Sequence, residues 1–82
     1  MIGRTHNITN VSWNVNGLRK RYKLLRVFNV MKNIQFPDVI CLQETHSNEF
    51  WGKKYKKMFF NYHVYSVHGN NRSRGVAIFI RK

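Results

Sequence analysis

Acidic residues are scarce in this chain. Three Asp and Glu stand against fifteen Lys and Arg, a formal net charge of +12 over 82 residues. Folding does not call for that imbalance, and self-repulsion among the cations opposes it. A polyanion is the expected partner, with nucleic acid ahead of an anionic membrane surface. Cysteine is almost missing as well. Cys41 stands alone, which excludes an intramolecular disulfide, and its place inside an apolar run reads as a small core residue rather than a reactive thiol. The N-terminus lacks the apolar core of a signal peptide, and no apolar run is long enough to span a membrane. An intracellular location away from membranes is therefore expected. Phosphate-binding Walker loops, nucleotide-binding glycine fingerprints and nucleophile elbows are also missing, and the four histidines show no zinc spacing.

What is present is a packed protein. Apolar residues make up 43% of the chain and aromatics 15%, too many for a disordered one. At this length the core is marginal without help from a partner, a metal or further chain. Residues 8–15 alternate, with Val11, Trp13 and Val15 on one face and Asn10, Ser12 and Asn14 on the other, the pattern of a strand. Asn16 and Gly17 tolerate positive φ and supply a turn. Leu24, Val27, Phe28, Met31 and Ile34 then recur at three- and four-residue steps with Lys and Arg between them, which predicts an amphipathic helix ended by Pro37. A second strand covers 39–42. Residues 47–60 fit a short helix or an irregular loop. Third and fourth strands are predicted at 62–67 and 76–80, with a polar turn between them.

Strand, helix and strand within about 35 residues make a βαβ unit, with parallel strands and a right-handed crossover. The carboxyl ends of the two strands then share one edge, where open α/β sheets bind ligands. Asn14 and Asn16 close the first strand, and Glu44 closes the second. A carboxylate at a strand end is a candidate ligand for a hard cation such as Mg²⁺, which takes one or two carboxylates and completes its shell with water and phosphate. The plainer alternative is a Glu44 that caps a turn or pairs with a surface Lys. Asp38 opens the same strand, roughly 20 Å away at ~3.3 Å per residue, so it cannot share an ion with Glu44. Lys53, Lys54, Lys56 and Lys57, interleaved with aromatics, together with Arg72 and Arg74, are candidate nucleic-acid contacts. The competing reading places those aromatics in the core and the lysines on a solvated face.

The strand at 76–80 is apolar on both faces and expects cover on both. Only Arg81 and Lys82 follow it. It is therefore expected to form an unpaired or poorly covered edge, prone to aggregation, and the chain reads as the opening of a domain that stops early.

Three runs carry a family resemblance. Ser12-Trp13-Asn14-Val15-Asn16-Gly17-Leu18 resembles the first-strand motif of the endonuclease/exonuclease/phosphatase superfamily. Asp38-Val39-Ile40-Cys41-Leu42-Gln43-Glu44-Thr45-His46 is similar to its second motif, and Ser73-Arg74-Gly75-Val76-Ala77-Ile78-Phe79-Ile80 to the strand that follows. Their order is the family's order. Gln43-Glu44-Thr45-His46 and the Ser-Arg-Gly-Val-Ala-Ile run most resemble the apurinic/apyrimidinic-like endonuclease domain of LINE-type retrotransposons.

The resemblance implies an α/β fold, the N-terminal part of a four-layered DNase I-like sandwich opening with the βαβ unit. Residues 1–82 would be the first portion of a single domain, incomplete at the C-terminus. It also implies Mg²⁺-dependent nicking of DNA by phosphodiester hydrolysis, priming reverse transcription of the element. Glu44 would bind the metal and act in catalysis, Asn14 would sit at the scissile phosphate, and Asn16 would assist the metal with a neutral oxygen. The reverse transcriptase domain of the same element would be a partner, and the location nuclear. The family's later motifs, which supply a Tyr, an Asp with Asn pair and a final Asp and His, do not occur here. The isolated chain is accordingly expected to be inactive. The rival from another class is a basic nucleic-acid-binding module without catalysis.

Overall fold

A computed structural model describes residues 8–68 and 75–82. The elements in chain order are β1 Asn10–Asn14, α1 Arg21–Asn33, β2 Val39–Gln43, α2 Glu49–Met58, β3 Tyr62–Val67 and β4 Val76–Arg81. β1 and β2 pair in parallel across the α1 crossover, with Asn14 opposite Gln43. The expected βαβ unit is therefore present. β4 then pairs antiparallel with β2 on one side and with β3 on the other, so the sheet order is β1-β2-β4-β3.

That order corrects the expectation that the fourth strand would form an exposed edge. β4 lies inside the sheet, and the edges are β1 and β3. A strand apolar on both sides belongs in the middle of a sheet, and the antiparallel pairings of β4 with β2 and β3 place it there. What is left uncovered is a face, not an edge.

Both helices pack on the same side of the sheet. Leu24, Val27 and Met31 from α1, with Tyr55 from α2 and Phe59 just after it, bury against Ile40, Leu42, Tyr62, Val64, Ala77 and Phe79. Phe59 is at the centre, its ring 4.7 Å from Phe79 and 5.1 Å from Phe28. On the other side Cys41, Ile78 and Tyr65 align across three strands. Of these, Ile78 and Tyr65 are exposed, as are the neighbouring Ile80 and Val67.

The helix ends differ in quality. Residues 47–60 resolve into a helix because Asn48 caps it: its side chain accepts from the Trp51 N–H at 3.0 Å, and Glu49 occupies the first turn. α1 begins on Lys20, without a side-chain cap and without an acid in its first turn. It closes before Pro37 acts. Gln35 takes φ 65, and the N–H groups of Gln35 and Phe36 donate back to Lys32 and Met31 at 3.0 and 2.7 Å, a Schellman closure.

Candidate active site at the carboxyl edge of the sheet

The two motif loops continue the β1–β2 pairing past the ends of the strands. Val15 N donates to Gln43 O at 3.0 Å, Gly17 N to Glu44 O at 2.6 Å, and Leu18 N to Thr45 O at 2.8 Å. This parallel zipper turns the two loops into one rigid rim. Gly17 needs its freedom here, because its φ is +94. Glu44 and His46 also adopt positive φ, 55 and 53. A carboxylate-bearing residue held in the left-handed region is an uncommon arrangement, of a kind that concentrates at functional sites.

Asn14 and Glu44 meet on this rim, as expected. The Asn14 side-chain Nδ2 donates to Glu44 Oε2, and Asn14 Oδ1 accepts the Asn16 N–H at 3.1 Å. The second bond is an Asx-turn, which fixes the amide so that its nitrogen points at the carboxylate. Asn16 is exposed and holds Asn14 through its backbone. Asn14 belongs to the sheet face that the helices leave open, in line with Ser12, whose hydroxyl accepts from Gln43 Nε2 at 2.6 Å.

Three supports of the rim were not legible as such. Lys23 on α1 donates to the carbonyls of Val15 and Asn16 at 3.0 and 2.9 Å, bringing a cation to the loop. Tyr55 on α2 donates to Leu18 O at 2.8 Å. Burial pushes its hydroxyl up to about 12, against a hydrogen bond from Ser47 and the nearby charge of Arg19, so it stays a neutral donor. Beneath Glu44, the buried Thr45 hydroxyl donates to Ser47 Oγ at 3.1 Å, which in turn lies 3.2 Å from His68 Nδ1. The only sequence signal for these residues was polarity beside an apolar run.

The other acids have different tasks. Asp38 is a clamp at the opposite end of β2, accepting from Thr9 N at 2.9 Å and pairing with Arg81 at 2.9 Å. Glu49 opens α2. Among the described residues no group of three or more His, Cys, Asp or Glu converges. The four lysines of α2 do not form one patch. Lys53 and Lys56 border a cleft of about 240 Å³ with Glu49, Ser66 and His68. Lys54 and Lys57 border a separate groove toward α1. Arg72 and Arg74 lie outside the described residues.

Residues 11–82 match the Endonuclease/Exonuclease/phosphatase family. Among solved structures, the chain is similar to the catalytic domain of Xenopus laevis APE2, at 29% identity over 87% of the chain and a TM-score of 0.59. The chain spans 23% of the length of that structure. The mixed sheet with its βαβ opening is thus the first part of the DNase I-like α/β sandwich, as expected from the motifs.

Proposed function

Because the chain belongs to the endonuclease/exonuclease/phosphatase family, we propose that it is the N-terminal part of a Mg²⁺-dependent endonuclease domain that nicks DNA, of the type carried by LINE retrotransposons. The observation that carries this reading is the Asn14–Glu44 hydrogen bond on the rim shared by β1 and β2. It joins the acid that follows β2 to an amide whose orientation is set by the backbone.

The donors on the rim fit a hard cation. One carboxylate oxygen beside amide oxygens and water suits Mg²⁺, which draws much of its shell from water and phosphate. They do not fit zinc, which asks for three or four His, Cys or carboxylate ligands. Glu44 would hold the ion, with Asn16 offering a neutral oxygen beside it. When bound, Mg²⁺ supplies charge stabilisation at the phosphate and leaving oxygen. Asn14 contributes the N–H donor that holds the scissile phosphate against Glu44, and the Asx-turn keeps that donor aimed. Lys23 adds positive charge at the same rim. Orienting the attacking water in this family falls to an Asp with Asn pair and a final Asp and His, and among the described residues Glu44 is the one carboxylate at the end of β2 on this rim. The 82-residue chain therefore binds metal and phosphate without turnover.

The LINE assignment rests on Gln43-Glu44-Thr45-His46 and on the Ser-Arg-Gly-Val-Ala-Ile run at 73–78. With it come a reverse transcriptase domain in the same element, a nick that primes reverse transcription, and a nuclear location.

The sign of the Mg²⁺ effect on duplex affinity separates this reading from a basic binding module. For a module that simply neutralises phosphates, added Mg²⁺ competes and weakens binding. If Glu44 holds an ion that offsets the charge of a phosphate, Mg²⁺ strengthens binding by linkage. At constant ionic strength, a few millimolar Mg²⁺ is expected to raise duplex affinity about threefold or more in the native chain and to lower it in Glu44→Gln. Weakening of equal size in both proteins would leave the basic module as the better account.

A further inference from the structure

The helical layer carries a second basic surface that the rim does not use. Arg21 from α1 and Lys54 and Lys57 from α2 border a groove of about 350 Å³ whose remaining walls are Leu24, Trp51 and Met58. Three cations thus surround an apolar floor, and no acid lines it. Lys54 Nζ lies 5.0 Å from the Phe50 ring centroid and 6.0 Å from that of Trp51. Phe50 packs edge-on to Trp51 at 5.8 Å and is 61% exposed. Trp51 lines the groove, and the exposed Phe50 packs on it beside Lys54, so aromatic faces and cations stand together, the combination that stacks a base and tracks its phosphates.

Two further observations favour a polyanion here. α1 starts on Lys20 and Arg21, cations at the positive end of the helix dipole with no side-chain cap. That placement works against the helix, and a phosphate beside it reverses the sign of the interaction. The groove also lies on the helix-covered side of the sheet, whereas Asn14 stands on the open side.

We infer that the α1–α2 groove is a second nucleic-acid site, selective for single strands, with Arg21, Lys54 and Lys57 on the phosphates and Phe50 with Trp51 on an unpaired base. A duplex keeps its bases stacked inside and has nothing to offer the aromatic pair. The inference is independent of the nuclease reading, because it requires neither metal nor Glu44.

The test is fluorescence anisotropy with an oligothymidylate of about 15 nucleotides and its matching duplex, over a range of salt. Lys54→Glu/Lys57→Glu is compared with Lys53→Glu/Lys56→Glu, an equal charge change on the flank of the same helix that borders the Ser66 and His68 cleft. All four lysines are exposed, and far-UV circular dichroism checks that both variants keep the native spectrum. The 54/57 pair is expected to lower single-strand affinity about tenfold or more, while the 53/56 pair lowers it less than about threefold. Phe50→Ala is expected to cost about fivefold for the single strand at an unchanged salt slope, and nothing for the duplex. Equal losses from the two lysine pairs, or single-strand binding untouched by Phe50→Ala, would overturn the site.

Discussion

Asn14 uses both ends of its amide. Its oxygen is tied to the Asn16 N–H and its nitrogen to Glu44, so an Asp at position 14 would place two carboxylates together and repel. The rim that carries this pair is anchored by single residues from each helix. Tyr55 is the clearest case, fully buried, with its hydroxyl on the Leu18 carbonyl. Tyr55→Phe keeps the ring packed but strands that carbonyl, and is expected to destabilise the fold by about 1–3 kcal/mol in denaturant unfolding. The same substitution has a pH signature. In the folded chain burial keeps the phenol protonated up to about 12, while the unfolded chain releases the proton near 10.0. Between those values the unfolded state binds fewer protons, so stability falls as pH rises. The native chain is therefore expected to lose stability more steeply than Tyr55→Phe across that window. Parallel slopes would mean that Tyr55 does not titrate differently on folding.

The two helices illustrate opposite solutions at their N-termini. α2 has Asn48 as its cap and Glu49 in the first turn, whereas α1 opens on Lys20 with neither. Lys20→Asp supplies a capping oxygen and removes a cation from the positive end of the dipole. It is expected to raise stability by about 1 kcal/mol, read as a higher thermal midpoint. No change would indicate that Lys20 is not at the end of the helix in solution. The elements also mark what was legible in advance. β1 and α1 followed from their periods and β2 from its short apolar run, because both are local properties of the chain. α2 stayed ambiguous, since Phe50, Trp51, Tyr55, Phe59 and the lysines between them satisfy a helix and a loop alike. Asn48 was the local signal that decides it. Chain order alone does not give the position of β4 between β2 and β3, although its apolar character on both faces favours a central place.

At the scale of the molecule, a single sheet carries helices on one side and an open apolar face on the other, under a net charge of +12. Basic residues are spread over several surfaces rather than gathered at the rim, and this distribution divided the α2 lysines into two pairs. The meeting of Asn14 with Glu44 was legible because a βαβ unit brings the carboxyl ends of its strands to one edge. The contacts of Lys23, Tyr55 and His68 were not, since each depends on how a distant element packs. We propose that the two motif loops form one metal-and-phosphate half-site. Paramagnetic broadening by substoichiometric Mn²⁺, followed in amide NMR spectra, tests it most directly. The predicted result is broadening confined to residues 14–17 and 43–46 and abolished by Glu44→Gln. Broadening centred on Asp38 or Glu49, or left unchanged by Glu44→Gln, would contradict it.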